Sequence, residues 1–416
     1  MLSLFLQNIY KAKIRKSSMT LLMTILICLV VAYLFSAFFR FIGLPRVIGQ
    51  IIAGLVLGIP VISSYLFNPQ SLDVLSFLAN LGIILLFYYV GLETDFRAFT
   101  QNVKKSISIS LFNTMTPFLI GFFVMKFFLG FDTVASIITG VALSVSAQSI
   151  SVDLLEELKI LKTRLGNLIV SAGAVDDMIE LVLVSVLLSF LHLAISNLTL
   201  FRLVFDIVLF LLLIIFARFV VIPSTMKFFD LEHSASARFM GSLIIVLFIA
   251  SLSELLNVGA LIGAMVAGMI IRQTIKKEVS IPDWEQADIS RSIHTIAFGF
   301  LIPLFFVWIG VKTDVTQILP NLGFIFLLFA IATVGTVGGS IIAVMLAKGS
   351  FREGLILGFG LNPKGDLELV IIALALQSSL ITPQLFAVIV VMSLLTTFVS
   401  PIVFKRLLIN HKRTKA

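Results

Sequence analysis

Apolar runs of about 20 residues, the length an α-helix needs to cross the hydrocarbon of a bilayer, follow one another along almost the whole chain. Reading such windows gives about thirteen spans, near residues 19–41, 45–66, 72–92, 106–129, 133–153, 165–195, 199–222, 239–256, 257–273, 294–312, 321–347, 353–376 and 383–408. With 59% of its 416 residues hydrophobic, 12% charged and a mean hydropathy of +1.13, the chain holds more apolar surface than one water-soluble core can hide. The fold class expected is therefore an all-α polytopic membrane protein. The spans use nearly all the length, leaving no stretch for a soluble catalytic or nucleotide-binding module. Cys28, the single cysteine, lies in the first run and has no intrachain disulfide partner.

The formal net charge is +8, but the basic residues are scattered over short loops, which argues against a nucleic-acid partner. Their distribution reports orientation. A cytoplasmic C-terminus puts Arg97, Lys104, Lys105, Lys159, Lys162, Arg164, Arg218, Lys227, Arg238, Arg272, Lys276, Lys277, Arg291, Lys348 and Arg352 on the cytoplasmic side. The outer loops then carry almost only Arg202 and Lys312, which fits a multi-pass protein of the cell (inner) membrane. Lys11, Lys13, Arg15 and Lys16 disobey this assignment, so the basic tail over residues 1–18 either lies flat on the surface or marks a helix count wrong by one. No small-residue cleavage site follows the tail, so a removable signal is not expected.

The chain also repeats itself. Val90-Gly91 followed by Leu92-Glu93-Thr94-Asp95 matches Ile309-Gly310 followed by Val311-Lys312-Thr313-Asp314. Ala53-Gly54 matches Ala267-Gly268, and Gly140-Val141-Ala142-Leu143 matches Gly358-Phe359-Gly360-Leu361. The offset is seven helices, an odd number, so the second copy would enter the bilayer from the opposite side, as in the inverted repeats of secondary transporters.

Two spans are interrupted at equivalent places in the two copies. Ser144, Ser146, Gln148, Ser149 and Ser151 break the fifth, and Asn362, Pro363, Lys364, Gly365, Asp366 and Glu368 break the twelfth. Pro363 removes a backbone donor and Gly365 accepts unusual dihedrals, so the helix is expected to unwind and free backbone groups at membrane depth. Half-helix ends carry partial charges, which Lys364, Asp366 and Glu368 would neutralise.

Asp176 and Asp177 lie inside the span from Ile169 to Leu188, with no basic residue on the same helix, and Glu180 follows one turn later. Ionised carboxylates at that depth cost several kcal/mol, so they face a wet cavity and mark an ion or proton path. A desolvated carboxylate in general holds its proton more tightly and gives it up when a cation arrives. Sodium and potassium prefer oxygen ligands, and carboxylates, the hydroxyls of Ser146 and Ser149 and unwound carbonyls are what these segments offer. The expectation is exchange of protons for Na+ or K+, with no cofactor.

Over nearly its whole length the chain resembles the monovalent cation/proton antiporter-2 family, which includes sodium/proton exchangers and Kef-type potassium efflux proteins. The matching runs are Leu44-Pro45-Arg46-Val47-Ile48-Gly49-Gln50 with Ala53-Gly54, Val90-Gly91-Leu92-Glu93, Leu154-Leu155-Glu156-Glu157-Leu158, Asp176-Asp177, Pro303-Leu304-Phe305-Phe306 with Gly310, and Lys364-Gly365-Asp366-Leu367-Glu368. The resemblance implies the sodium/proton antiporter fold, with two crossing broken helices, in a homodimer. Dimerisation parts would cover residues 19–92 and 236–314, a mobile ion-carrying core 104–196 and 321–408, and a linker helix 199–222, with a tail at 409–416. It also implies that Asp177 binds the transported cation with Asp176 as its auxiliary, while Glu180, Lys364, Asp366 and Glu368 are supporting charges.

Departures from the family pattern carry information too. Gln50 stands where glutamate is usual, and Lys364 and Asp366 replace the commoner arginine and glutamate. Relatives that move net charge carry a lysine where Thr336 aligns, so electroneutral exchange of one cation for one proton is expected here. Two other readings remain: a gated potassium efflux channel of the Kef type, and an intramembrane magnesium-dependent prenyl-transfer enzyme suggested by Asp176-Asp177-Met178-Ile179-Glu180. The latter lacks a convincing second acidic cluster. The histidines His192, His233, His294 and His411 read as solvated.

Overall fold

A computed structural model describes residues 19–93, 103–147, 150–152, 155, 158, 160, 163, 165–173, 175, 176, 179, 180, 200–230, 234–256, 258–277, 283–365 and 367–415. Among these residues the secondary structure is helical throughout, with no strand. Among the described residues eight helices are long and apolar enough to cross a membrane, or nine if one bent pair counts as a single span. Shorter apolar helices lie at Thr133–Ser144, Ala260–Gln273 and Leu367–Gln377. Thirteen as a count rests partly on the segment 165–195, most of which lies outside the described residues, as does the basic N-terminal tail.

The second run, expected as one span over 45–66, is two helices: α2 (Arg46–Leu57) follows α1 (Leu21–Phe41), and α3 (Pro60–Leu66) leaves α2 at 84°. The cause is local. Ile59 precedes Pro60, which disfavours helical dihedrals, and it adopts φ −54° and ψ 130° while Pro60 opens α3 at its first turn.

Contacts divide the chain into two units, Met1–Gly82 with Phe300–Val315, and Ile83–Gly299 with Thr316–Ala416. In the first, α2 packs on α1 and on α12 (Ile302–Lys312). Gly54 and Gly310 make the second of these crossings possible. A Cβ on Gly54 would stand 2.2 Å from the Val307 carbonyl oxygen, and one on Gly310 would stand 2.3 Å from that of Ile51. Any side chain there would force the helices apart.

The second unit contains the end of α4 (Pro69–Glu93), then α5 (Val103–Phe123), α6 (Thr133–Ser144), α7 (Leu200–Phe216), α8 (Ile222–Asp230), α9 (Ala235–Leu255), α10 (Ala260–Lys277) and α11 (Asp283–Ile296). It continues with α13 (Leu322–Leu346), α14 (Phe351–Leu361), α15 (Leu367–Gln377) and α16 (Pro383–Lys415). Here α4 meets α10 at Gly91 and Gly268: added Cβ atoms would lie 2.2 Å from the Met265 oxygen and 2.4 Å from the Tyr88 oxygen. α5 lies along α13, with Gly339 against the Phe112 backbone and Gly335 against Pro117.

Two π-helical turns, Ala217–Val221 and Ala297–Leu301, directly precede Ile222-Pro223 and Ile302-Pro303. A proline takes its N–H out of the helical ladder, and the widened turn absorbs the defect. By this device α11 runs on into α12 rather than beginning at residue 294 as the hydropathy suggested.

Candidate functional site: a carboxyl cage beside two helix breaks

The chain leaves helix α6 at Val145, whose ψ of 137° is extended and whose N–H closes the last helical bond on Val141. From there the next two backbone N–H groups have no helical acceptor, and in an apolar interior each must find another. Ser146 N–H donates to Glu180 Oε1 at 2.6 Å, and Ala147 N–H donates to the Pro363 carbonyl at 2.7 Å. Pro363 belongs to the second interruption, Asn362 to Gly365, between α14 and α15. The two breaks therefore meet at their backbones.

The second break is anchored on its own side by α13 and α16. Asn362 Nδ2 donates to Ser400 Oγ at 2.8 Å and Thr333 Oγ1 at 3.3 Å, and the Lys364 N–H donates to Thr397 Oγ1 at 3.2 Å. The Lys364 side chain is fully buried, and its Nζ donates to the Val145 carbonyl at 2.8 Å. That carbonyl lies at the C-terminal end of α6, where the helix dipole is negative, so the ammonium compensates it. Among the described residues, the charges of Glu368, Glu180 and Asp176 act on Lys364. Glu368, in the first turn of α15, is fully buried as well.

Asp176, helical and with no exposed surface, receives four side-chain hydrogen bonds from the described residues. Three come from one face of α5: Ser110 Oγ at 3.0 Å, Asn113 Nδ2 at 2.6 Å, and Thr114 Oγ1. The fourth comes from the first break, Ser146 Oγ at 2.7 Å. Ser340 Oγ on α13 donates to Asn113 Oδ1 at 3.3 Å, which turns the Asn113 amide nitrogen toward Asp176. Four donors match the four lone-pair positions of an ionised carboxylate. Three of them are hydroxyls, which also accept, so the same cage serves a protonated carboxyl without rebuilding.

Of the residues expected from sequence, Asp176, Ser146, Glu180 and Lys364 come together here, with Glu368 acting electrostatically on Lys364. Asp177, Ser149 and Asp366 lie outside the described residues. Ser144 bonds back to Val141, and Ser151 Oγ donates to the Gly360 carbonyl at 2.5 Å, a further tie between the interrupted helices. Thr336 is fully buried, and its hydroxyl has no hydrogen-bond partner among the described residues.

Sequence reasoning missed Ser110, Asn113, Thr114 and Ser340. A signal was present: residues 110, 113 and 114 are spaced i, i+3 and i+4, which aligns three polar groups on one face of a span that also carries Ser106, Ser108 and Thr116.

Comparison with known proteins follows the same lines. Residues 25–410 match the family model of the transmembrane sodium/hydrogen exchanger. The Na(+)/H(+)-K(+) antiporter GerN of Bacillus cereus is 29% identical over 364 residues, covering 88% of this chain and 90% of that protein. The Na(+)/H(+) antiporter of Enterococcus hirae is 28% identical over 367 residues, covering 88% and 92%. In fold, the chain is similar to the sodium proton antiporter MjNhaP1 from Methanocaldococcus jannaschii, with a TM-score of 0.66 at 15% identity over 92% of this chain and 96% of that one. A family match over nearly the whole chain, joined to two interrupted helices that bond to one another, identifies a multi-pass membrane protein of the sodium/hydrogen exchanger family.

Proposed function

We propose that the chain is a secondary active transporter that exchanges Na+ or K+ for H+ across the membrane by alternating access, one cation for one proton. The observation that carries this reading is the Asp176 carboxyl, fully buried, held by four donors and joined through Ser146 to the break in α6. A charge at that depth costs several kcal/mol unless something compensates it, and a cage that suits both the ionised and protonated forms is what exchange of a proton for a cation needs. Family membership supports transport rather than enzymatic turnover. The similarity to GerN, named for both sodium and potassium, supports a monovalent cargo.

The transported cation is assigned to Asp177, with Asp176, Ser146 and Ser149 around it and Glu180, Lys364, Asp366 and Glu368 as supporting charges. Thr336 in place of a lysine supports electroneutrality, because an uncharged hydroxyl has no second proton to release. The inverted repeat is supported by the glycine crossings. Gly54 approaches Val307 and Gly310 approaches Ile51, while Gly268 approaches Tyr88 and Gly91 approaches Met265. If Gly54 corresponds to Gly268 and Gly310 to Gly91, each contact in one set has its image in the other. The further proposals are a homodimer through residues 19–92 and 236–314, a mobile core of 104–196 and 321–408, a linker at 199–222, and a cytoplasmic C-terminus.

The test is a pH-dye assay in everted vesicles or proteoliposomes, with a proton gradient imposed and Na+, K+ and larger cations added in turn. Na+ or K+ should collapse the gradient, at a rate that does not follow an imposed membrane voltage. Cation flux indifferent to the proton gradient would instead indicate a channel, and a voltage-dependent exchange rate would remove the one-for-one stoichiometry.

A further inference from the structure

The carboxylate of Glu180 touches the backbone of the first break. Its Oε1 accepts from Ser146 N–H at 2.6 Å and lies 3.1 Å from Ser146 Oγ, while that same hydroxyl reaches Asp176 Oδ2 at 2.7 Å. Asp176 and Glu180 are four residues apart on one stretch of chain, so Ser146 sits across a single helical turn with both carboxyls in reach. All three residues are at least nine-tenths buried. The Ser146 N–H is one of the donors freed where α6 ends, so it needs an acceptor outside the helix, and Glu180 supplies it.

We infer that Glu180 is a positioning residue for cation binding: by capping the Ser146 N–H it fixes the first break in the conformation that aims the Ser146 hydroxyl at Asp176. Its reach as an acceptor sets the affinity for the transported cation, and its charge is not what does so. Aspartate keeps the charge and withdraws the oxygen by one methylene, which leaves the N–H bare and lets Ser146 turn away. Glutamine keeps an acceptor oxygen at the same reach and removes the charge. A carboxylate acting only as a counter-ion to Lys364 would show the opposite pattern.

The inference rests on the exchange reading, and one experiment separates the two. Proteoliposomes of the wild type, Glu180→Asp and Glu180→Gln are assayed with a pH dye over a range of Na+ and of K+ at one fixed pH. Glu180→Asp is expected to raise the cation KM by about tenfold, as for loss of one buried hydrogen bond to a charged partner. Glu180→Gln is expected to hold KM within about twofold of wild type, the effect of exchanging one acceptor oxygen for another. In a Ser146→Ala background, which keeps the N–H and lacks the hydroxyl, Glu180→Asp should add little to the KM already raised, because the two act through one group. A raised KM in Glu180→Gln matching that of Glu180→Asp, unchanged KM in both, or full additivity with Ser146→Ala would each overturn the positioning role while leaving the exchange reading intact. A wild type that moves neither cation against protons would overturn both.

Discussion

The two helix breaks meet through one backbone hydrogen bond, yet they are built from opposite materials. The first, Val145 to Ala147, has no charge of its own and offers a hydroxyl, two freed N–H groups and a carbonyl. The second, Asn362 to Gly365, has a proline without a donor and a fully buried lysine, pinned by hydroxyls of α13 and α16. Each supplies what the other lacks: Lys364 compensates the Val145 carbonyl, and the Pro363 carbonyl takes the Ala147 N–H. The lesson concerns cost. Hydrogen bonds hold the first break, and changing one costs about 1 kcal/mol, whereas uncovering the charges around the second costs about 3 kcal/mol or more.

Variants ranked by that difference test it. The largest effect is expected where a charge itself is removed, at the proposed cargo ligand: Asp177→Asn should lower exchange by at least about 100-fold, the rate equivalent of about 3 kcal/mol, with the folded protein retained on size-exclusion chromatography. Lys364→Met comes next. It leaves buried acids without their cation and should destabilise the protein by about 3 kcal/mol, read as a lower melting temperature in detergent, with Lys364→Arg restoring most of the loss. If Lys364→Met melts like the wild type, the second break is not held by charge.

Smaller effects belong to the hydrogen-bonded side. Asp176→Asn should weaken exchange by about tenfold, since an amide cannot accept from all four donors of the cage. Ser146→Ala should raise the cation KM by about three- to tenfold and leave the melting temperature nearly unchanged. Ser340→Ala, which frees the Asn113 amide to turn, should cost about threefold or less. A Ser340→Ala defect as deep as that of Asp176→Asn would mean that the orientation of Asn113 matters more than the carboxyl it serves.

Much of this was legible in the sequence, and the reasons are physical. Proline and glycine beside a lysine in an apolar run announce an unwound helix, and a pair of aspartates at membrane depth announces a wet or caged site. The cage around Asp176 was not read, because Ser110, Asn113 and Thr114 are neutral and spread over five positions of one helix. Only the direction of that face, which tertiary packing decides, makes them a site. The 84° turn at Ile59-Pro60 was likewise lost in a hydropathy window, which averages over a proline that the local dihedrals obey. The roles of Asp177, Ser149 and Asp366, which lie outside the described residues, rest on family resemblance and on their neighbours in sequence.

The central proposal is that a buried carboxyl gives up a proton when a cation binds. Purified protein in weakly buffered detergent, titrated with Na+ or K+ while released acid is counted, tests that directly. The expected result is a saturable release of about one proton per cation bound, abolished in Asp177→Asn. Saturable cation binding with no proton release, or release unchanged in that variant, would contradict it.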